Sequence, residues 1–324
     1  MKEATMSENE FYDVIIVGGG PAGLTAGIYA MRAAMKTVLV ERGMFGGQVA
    51  ITKEVENYPG FQHVGGIELG EKFLEHARSY DLEIREKEVV ATEPGLDYHE
   101  VHLADGTVLR AHAIILAAGG TARKLGVPGE NENFGKGVSY CATCDGFFFR
   151  NKVVACVGGG DTALEDALYL AKITSKVYLI HRRDEFRGSR ILQQRVFAEP
   201  RIEIIFNAVV SEINSDKSGV TGVSLKDTKT GEARQLATEG VFIFVGFSPN
   251  NQLVPAGIKK NTTGYVITDE KCETSIPGIF AVGDLRQKYA NQIVLAAADG
   301  CTAALAAAHY VESCKASGEC QQPA

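Results

Sequence analysis

One pattern occurs twice in this chain: an apolar strand, a glycine-rich loop, a helix and a second strand. The first copy runs from a strand at Asp13–Val17 through Gly18-Gly19-Gly20-Pro21-Ala22-Gly23 and a helix over 22–34 to a strand at Thr37–Val40. The second runs from a strand at 152–157 through Gly158-Gly159-Gly160-Asp161-Thr162-Ala163 and a helix over 162–172 to a strand at 176–180. A short continuous apolar run is how a strand covered on both faces of a parallel sheet reads. Two parallel neighbours need a crossover, usually a helix. The duplication therefore predicts an α/β fold of two doubly wound, Rossmann-like dinucleotide-binding domains.

The second domain reads as an insertion into the first. After the first βαβ unit come shorter strands, a hairpin turning at Asp105-Gly106, and a strand at 113–116 ending in Ala117-Ala118-Gly119-Gly120. After the second unit a hairpin region spans 203–237, and a strand at 240–245 ends at Gly246. A strand at 278–281 then leads into Gly283-Asp284, a last helix covers 292–313, and 314–324 read as a tail. The expected division is 1–120 with 247–324 for the first domain and 121–246 for the second. The glycines at both crossings could act as hinges.

In each loop the first glycine makes the tight turn and the second lets backbone approach a pyrophosphate. The third small residue, Gly23 or Ala163, lets helix pack on strand. The phosphates sit on the helix N-terminus, where free N–H groups and the dipole favour negative charge. The end of the following strand selects the ligand. Glu41 stands 23 positions after Gly18, and a carboxylate there accepts hydrogen bonds from a ribose diol, as in FAD or NAD. The same count from Gly158 reaches His181, followed by Arg182, Arg183 and Arg187. Guanidinium groups bind a 2′-phosphate that an acid would repel, so the second site reads as NADPH. The alternative is a solvated basic turn paired with Asp184 or Glu185.

Between the two loops lies Cys141-Ala142-Thr143-Cys144-Asp145. Cysteines three apart can close a small redox-active disulfide. No second CxxC or paired histidine cluster completes a zinc site, and no metal is expected. Disulfide exchange needs a proton for the leaving thiolate, which Asp145 can supply. Of the seven cysteines, Cys156, Cys272 and Cys301 read as structural, and Cys314 and Cys320 as stray surface thiols of the tail. An odd count without framework spacing fits a reducing compartment. The formal charge of −7 argues against nucleic acid. The polar first residues lack a signal core, and the most apolar run, 293–311, is broken by Asp299 and His309, so the expectation is a cytoplasmic protein with no membrane contact.

With these residues in view, the chain resembles the bacterial low-molecular-weight thioredoxin reductases from about residue 12 to 313. The matching stretches are Gly46-Gly47-Gln48, Glu54 to Gly60, Cys141 to Gly146, His181 to Asp184 with Arg187, and Gly278 to Asp284. The resemblance implies FAD in the outer domain, held by Gly18, Gly20, Gly23, Glu41, Gln48, Asn57, Gly283, Asp284 and Gln292. It implies NADPH in the inserted domain, held by Gly158, Gly160, Ala163, His181, Arg182, Arg183 and Arg187. Cys141 and Cys144 would carry electrons to thioredoxin, with Asp145 as the acid, in a homodimer whose domains rotate. Where the family has Arg-Gln before the last helix, this chain has Asn291-Gln292. Two other readings stay open: a flavoprotein reducing another small redox protein, and a non-catalytic sensor binding FAD and NADPH.

Overall fold

A computed structural model describes residues 11–52 and 54–317. The chain forms two compact units: one takes the chain up to Thr121 and again from Ser248, and the other is Ala122–Phe247.

The first unit is built on a seven-stranded sheet. Phe11–Val17 lies in its middle, parallel to Thr37–Glu41 on one side and to Val108–Leu116 on the other. Glu83–Glu86 extends the parallel side, while His99–Leu103 and Val89–Glu93 add antiparallel strands through the hairpin whose turn carries Gly106 at φ 87°. Ile279–Ala281 also pairs parallel with Val108–Leu116, which returns the late chain to this sheet. Val14 and Ile16 face one core, with the helices Pro21–Arg32 and Ile293–Ser317, and Ile15 and Val17 face another. That two-sided burial is why the strand reads as an unbroken apolar run.

The helix Ile293–Ser317 runs past the end that its sequence suggested. By length and composition it could cross a membrane, but Ala303, Ala304, Ala307 and Val311 are buried in the same core as Leu24 and Ala26. The helix continues beyond Ser313 because Cys314 is buried and apolar contact carries it on. Cys314 is therefore a core thiol and not a surface one. Cys320 lies outside the described residues.

The second unit has a five-stranded parallel sheet in the order Val138–Ser139, Gly240–Phe244, Val153–Gly158, Lys176–Ile180, Ile202–Ile205. A three-stranded antiparallel sheet, Ala208–Asp216, Gly219–Asp227 and Ala233–Ala237, packs on it. Its turns carry Gly219 and Gly231 at positive φ. Helix Asp161–Ile173 covers the other face, and Cys156 beneath it is buried with its thiol pushed well up by desolvation. At the two crossings Gly119 and Gly246 take φ of 66° and 127°, a region that favours glycine.

One buried group ties stability to pH. His99, 3% exposed, accepts a hydrogen bond from the Gly95 N–H on Nδ1. Burial pushes its pKa down to about 4, against the opposing Pro277 carbonyl. The unfolded chain takes up this proton near pH 6.5, so the His99 contribution is full above that and is lost as pH falls toward 4. Half-buried Asp166, pushed up to about 7 by burial, acts in the opposite sense. The comparison is therefore between wild type and His99→Gln. Their difference in unfolding free energy, measured with denaturant from pH 7 to pH 4.5, should change by up to about 3 kcal/mol.

Candidate nucleotide and disulfide sites

The first loop is shaped by what its glycines cannot accommodate. Gly18 turns at φ 113°, and a Cβ on it would sit 2.4 Å from the Ala117 carbonyl oxygen. A Cβ on Gly23 would sit 1.9 Å from the Gly18 carbonyl oxygen. Gly20 differs: a Cβ there would meet nothing within 4 Å, so the backbone faces open space. Gly20 also precedes helix Pro21–Arg32 without any side-chain cap, leaving first-turn N–H groups for an anion. The Glu41 carboxylate accepts from the Gly19 N–H at 2.7 Å and the Gly43 N–H at 2.8 Å, so it stands at the loop.

Two distant segments converge on this loop, around Gly46 and Gly283, and a third contact joins Asn57 to the late chain. Gly46 donates its N–H to the Gly19 carbonyl at 2.8 Å, which sets Gly47 beside Gly20 and is followed by Gln48, exposed in a short 3-10 turn. Gly283, at φ 66°, places its Cα where a Cβ would meet Ala22 at 3.1 Å, so Asp284 arrives at the same helix end. Asn57 donates to Gln292 at 3.2 Å across 235 positions. Asn291, in place of the family arginine, is exposed. Burial raises the Asp284 carboxyl, and the Lys288 ammonium 3.4 Å from Oδ1 opposes this. That oxygen is buried and lacks a hydrogen bond of good geometry, as suits an acceptor kept for a ligand hydroxyl.

Behind Asp284 lies an ion cluster that belongs to none of the sequence motifs. Asp299, 9% exposed on the last helix, accepts from Arg286 at 2.8 Å, from Lys288 at 3.4 Å and from the Gly283 N–H at 3.1 Å. A carboxylate in an otherwise apolar helix needs such partners. Asp299 in its apolar run was the available signal.

The second loop repeats the first in backbone and reverses it in charge. Gly160 leads helix Asp161–Ile173 without a side-chain cap, and a Cβ on it would also meet nothing within 4 Å. A Cβ on Gly158 would strike Ala163 at 2.5 Å, which is the helix-on-strand contact. His181 does not face outward with the arginines. It is buried under the loop and donates Nδ1–H to the Gly158 carbonyl at 2.8 Å. Burial lowers its pKa, with the charges of Arg187 and Arg182 adding to this, so the ring is neutral at pH 7. Arg182, Arg183 and Arg187 are exposed and form no ion pair among the described residues. Asp184 pairs instead with Lys229 at 3.1 Å. The basic turn is thus not spent on its acidic neighbours.

Cys141 and Cys144 form a disulfide with Cα atoms 5.3 Å apart. Both are half-buried, and Cys141 caps the one-turn helix Ala142–Asp145, its sulfur accepting the Cys144 N–H at 3.2 Å. The pair follows the edge strand Val138–Ser139 directly. The loop before that strand is organised by Glu130, 1% exposed, which accepts from the N–H groups of Leu125 and Gly126 and from the Tyr140 hydroxyl at 2.8 Å. Half-buried Asp145 is bonded to the Ser139 hydroxyl at 2.5 Å. Neither Glu130 nor Ser139 was singled out from sequence.

The family model for pyridine nucleotide-disulphide oxidoreductases matches residues 12–300. A thioredoxin reductase of Bacillus subtilis is 46% identical over 308 residues, covering 95% of this chain and 97% of the relative. One from Listeria monocytogenes is 44% identical, covering 97% and 98%. The crystal structure of thioredoxin reductase from Streptococcus pyogenes superposes with a TM-score of 0.90 at 43% identity, covering 94% of this chain and all of that one.

The glycine geometry separates two kinds of substitution. Gly23→Ala forces the new methyl onto the Gly18 carbonyl and should destabilise the ligand-stripped protein by about 1–3 kcal/mol or more. Gly20→Ala has room and should leave the stripped protein within about 1 kcal/mol of wild type while weakening retention of the first nucleotide. Thermal unfolding and a binding titration on the same stripped preparations check both halves.

Proposed function

The chain belongs to the pyridine nucleotide-disulphide oxidoreductase family, and from that premise we propose how its residues divide the work of a thioredoxin reductase. The enzyme oxidises NADPH and reduces a disulfide, with FAD and NADPH as cofactors. FAD, when bound, takes two electrons from NADPH and passes them to the protein disulfide. The unit formed by 1–120 and 247–324 binds FAD, and 121–246 binds NADPH and carries the cysteines.

In this assignment the FAD pyrophosphate lies over Gly18, Gly20 and Gly23, with Glu41 on a ribose. Gln48, Asn57, Asp284 and Gln292 serve the rest of the cofactor, with Gly283 shaping the approach. The convergence of the Gly46 and Gly283 segments on one helix end, with Asn57 bonded to Gln292, supports the reading. NADPH lies over Gly158, Gly160 and Ala163. His181 acts from beneath the loop by fixing the Gly158 carbonyl, and Arg182, Arg183 and Arg187 take the 2′-phosphate. Their guanidinium groups, exposed and without an ion pair among the described residues, support that role.

The observation that carries the function is the disulfide with a carboxyl beside it. A reduced Cys141–Cys144 pair gives a thiolate that attacks the sulfur–sulfur bond of oxidised thioredoxin. The second sulfur then closes the Cys141–Cys144 bond. Two electrons leave the pair, and the two thioredoxin thiolates take up protons. Asp145 takes the proton of an attacking thiol and returns it to a leaving thiolate. Thioredoxin is the partner, the enzyme works as a homodimer, and it resides in the cytoplasm. Tyr29, Leu295 and Leu305, apolar groups exposed on helices of the first unit, support self-association.

The deciding experiment follows NADPH oxidation by one preparation with thioredoxin and with a generic disulfide dye. Turnover of the dye without thioredoxin reduction would point to another carrier, and bound flavin without turnover to a sensor. Cys141→Ser and Cys144→Ser should each abolish thioredoxin reduction while stopped-flow bleaching of the flavin by NADPH continues. Arg182→Ala with Arg183→Ala should raise the KM for NADPH by tenfold or more, since each charged contact contributes about 1.5–3 kcal/mol, and leave that for NADH little changed. An equal loss with both nucleotides would overturn the 2′-phosphate assignment.

A further inference from the structure

Ser139 stands at the junction of everything around the disulfide. It ends the edge strand of the parallel sheet, opposite Phe242, and is 2% exposed. Its Oγ lies 2.5 Å from Asp145 Oδ2, 3.1 Å from the Cys141 nitrogen and 3.2 Å from the Cys141 carbonyl oxygen. One hydroxyl therefore touches the acid and both backbone polar groups of the first cysteine. The Asp145 N–H in turn donates to the same Cys141 carbonyl at 3.2 Å. The acid and the cysteine are linked twice, once through backbone and once through this side chain.

A serine hydroxyl has one proton and two lone pairs. One lone pair takes the Cys141 N–H. The proton goes to the nearer acceptor, the Asp145 carboxylate, and not to the Cys141 carbonyl. When Oδ2 carries a proton, two protons cannot share that short gap. The hydroxyl then turns its own proton onto the Cys141 carbonyl and receives the carboxyl proton in its second lone pair. Both charge states of Asp145 are satisfied with no heavy atom moving. Alanine at this position would leave the Cys141 N–H and the carboxyl each short of a partner.

We propose that Ser139 is a positioning residue for thioredoxin reduction: its hydroxyl holds Asp145 against Cys141 and switches hydrogen-bond direction as Asp145 gains and loses the exchanged proton. This rests on Asp145 being the acid. In the step it serves, the attacking thiol gives its proton to Asp145, a bond forms between the enzyme and thioredoxin sulfurs, and the thioredoxin disulfide breaks. The departing thioredoxin sulfur then takes the proton from Asp145. Electrons pass from dithiol to disulfide, and Ser139 itself is neither oxidised nor reduced.

The test uses holoenzyme reduced with one equivalent of NADPH and mixed with oxidised thioredoxin, the rate of flavin reduction by NADPH serving as control. Ser139→Ala should slow the exchange about tenfold at saturating thioredoxin, with KM for thioredoxin and flavin bleaching near wild type. Ser139→Thr, which keeps the hydroxyl, should restore most of the rate. In an Asp145→Asn background Ser139→Ala should cause no further loss, since its effect passes through the carboxyl. A loss of the same size in both backgrounds would show a structural role for the loop and overturn the proposal. Wild-type exchange in Ser139→Ala with slow exchange in Asp145→Asn would also overturn it, leaving the acid assignment standing. Wild-type exchange in Asp145→Asn would remove the acid itself. If Ser139→Ala does not bleach with NADPH, Ser139→Gly takes its place, read the same way.

Discussion

A Cβ on Gly23 would lie 1.9 Å from the Gly18 carbonyl oxygen, and one on Gly300 would lie 2.1 Å from that of Ala22. Helix Pro21–Arg32 is thus clamped at its first turn, between the strand it follows and the last helix of the chain, at distances that no side chain permits. Interiors this dense do not relax by small adjustments. The clamp fixes where the uncapped N–H groups of that helix point. Glu41 and Gly46 then find the loop by bonds to the two sides of the Gly19 backbone, and Gly283 by packing on Ala22. The buried Asp299 cluster holds the approach of Gly283 from behind.

The two loops share one device that glycine spelling alone does not reveal. In each, the carbonyl of the middle glycine anchors a later segment. Gly19 accepts from the Gly46 N–H at 2.8 Å, and Gly159 accepts from the N–H groups of Arg187 at 2.8 Å and Gly188 at 3.1 Å. The first anchor carries Gln48 and the second carries Arg187. A common backbone frame therefore presents an uncharged amide at one site and a guanidinium at the other. The strand-end residue is exchanged in the same way. Glu41 accepts from a loop N–H, whereas His181 donates to a loop carbonyl. Reversing donor and acceptor at equivalent positions removes a negative charge without opening a gap under the loop.

Much of this was legible in the sequence because it depends on period and glycine placement. The strand Lys176–Ile180 has the bounds that its apolar run gave, and both crossover helices lie within two residues of theirs at each end. Helices Gly66–Arg78 and Arg190–Ala198 were missed. Arg190–Ala198 is short and mostly exposed, and Gly66–Arg78, as long as the helices that were read, buries only Gly66, Leu69, Gly70 and Ala77. Cys314 was misjudged because the charged residues around it resemble a tail, while tertiary contact extends the helix beneath them. The count from Gly158 reaches His181 at the strand end, but its burial beneath the loop has no mark in the sequence. Its direction depends on the missing Cβ of Gly159, where an added carbon would lie 2.2 Å from the ring.

Around the disulfide the missing signal is of another kind. Ser139 and Glu130 follow no period and form no motif with the cysteines. They matter because the chain before Cys141 must be irregular and still satisfy its polar backbone. Glu130 accepts the Leu125 and Gly126 N–H groups and the Tyr140 hydroxyl, which straightens the approach to the edge strand. Ser139 then takes the Cys141 N–H, two residues beyond its own position at the strand end. The loop over 133–135 closes the outer side of this edge strand at Val138, and the chain turns outward as soon as that pairing ends. The turn is completed within one residue, and Cys141 caps the next element with its own sulfur. A disulfide built this way is half-exposed, while the Asp145 carboxyl beside it is held by a buried hydroxyl. The cysteines are partly open to solvent, and the hydroxyl that fixes their neighbour is not.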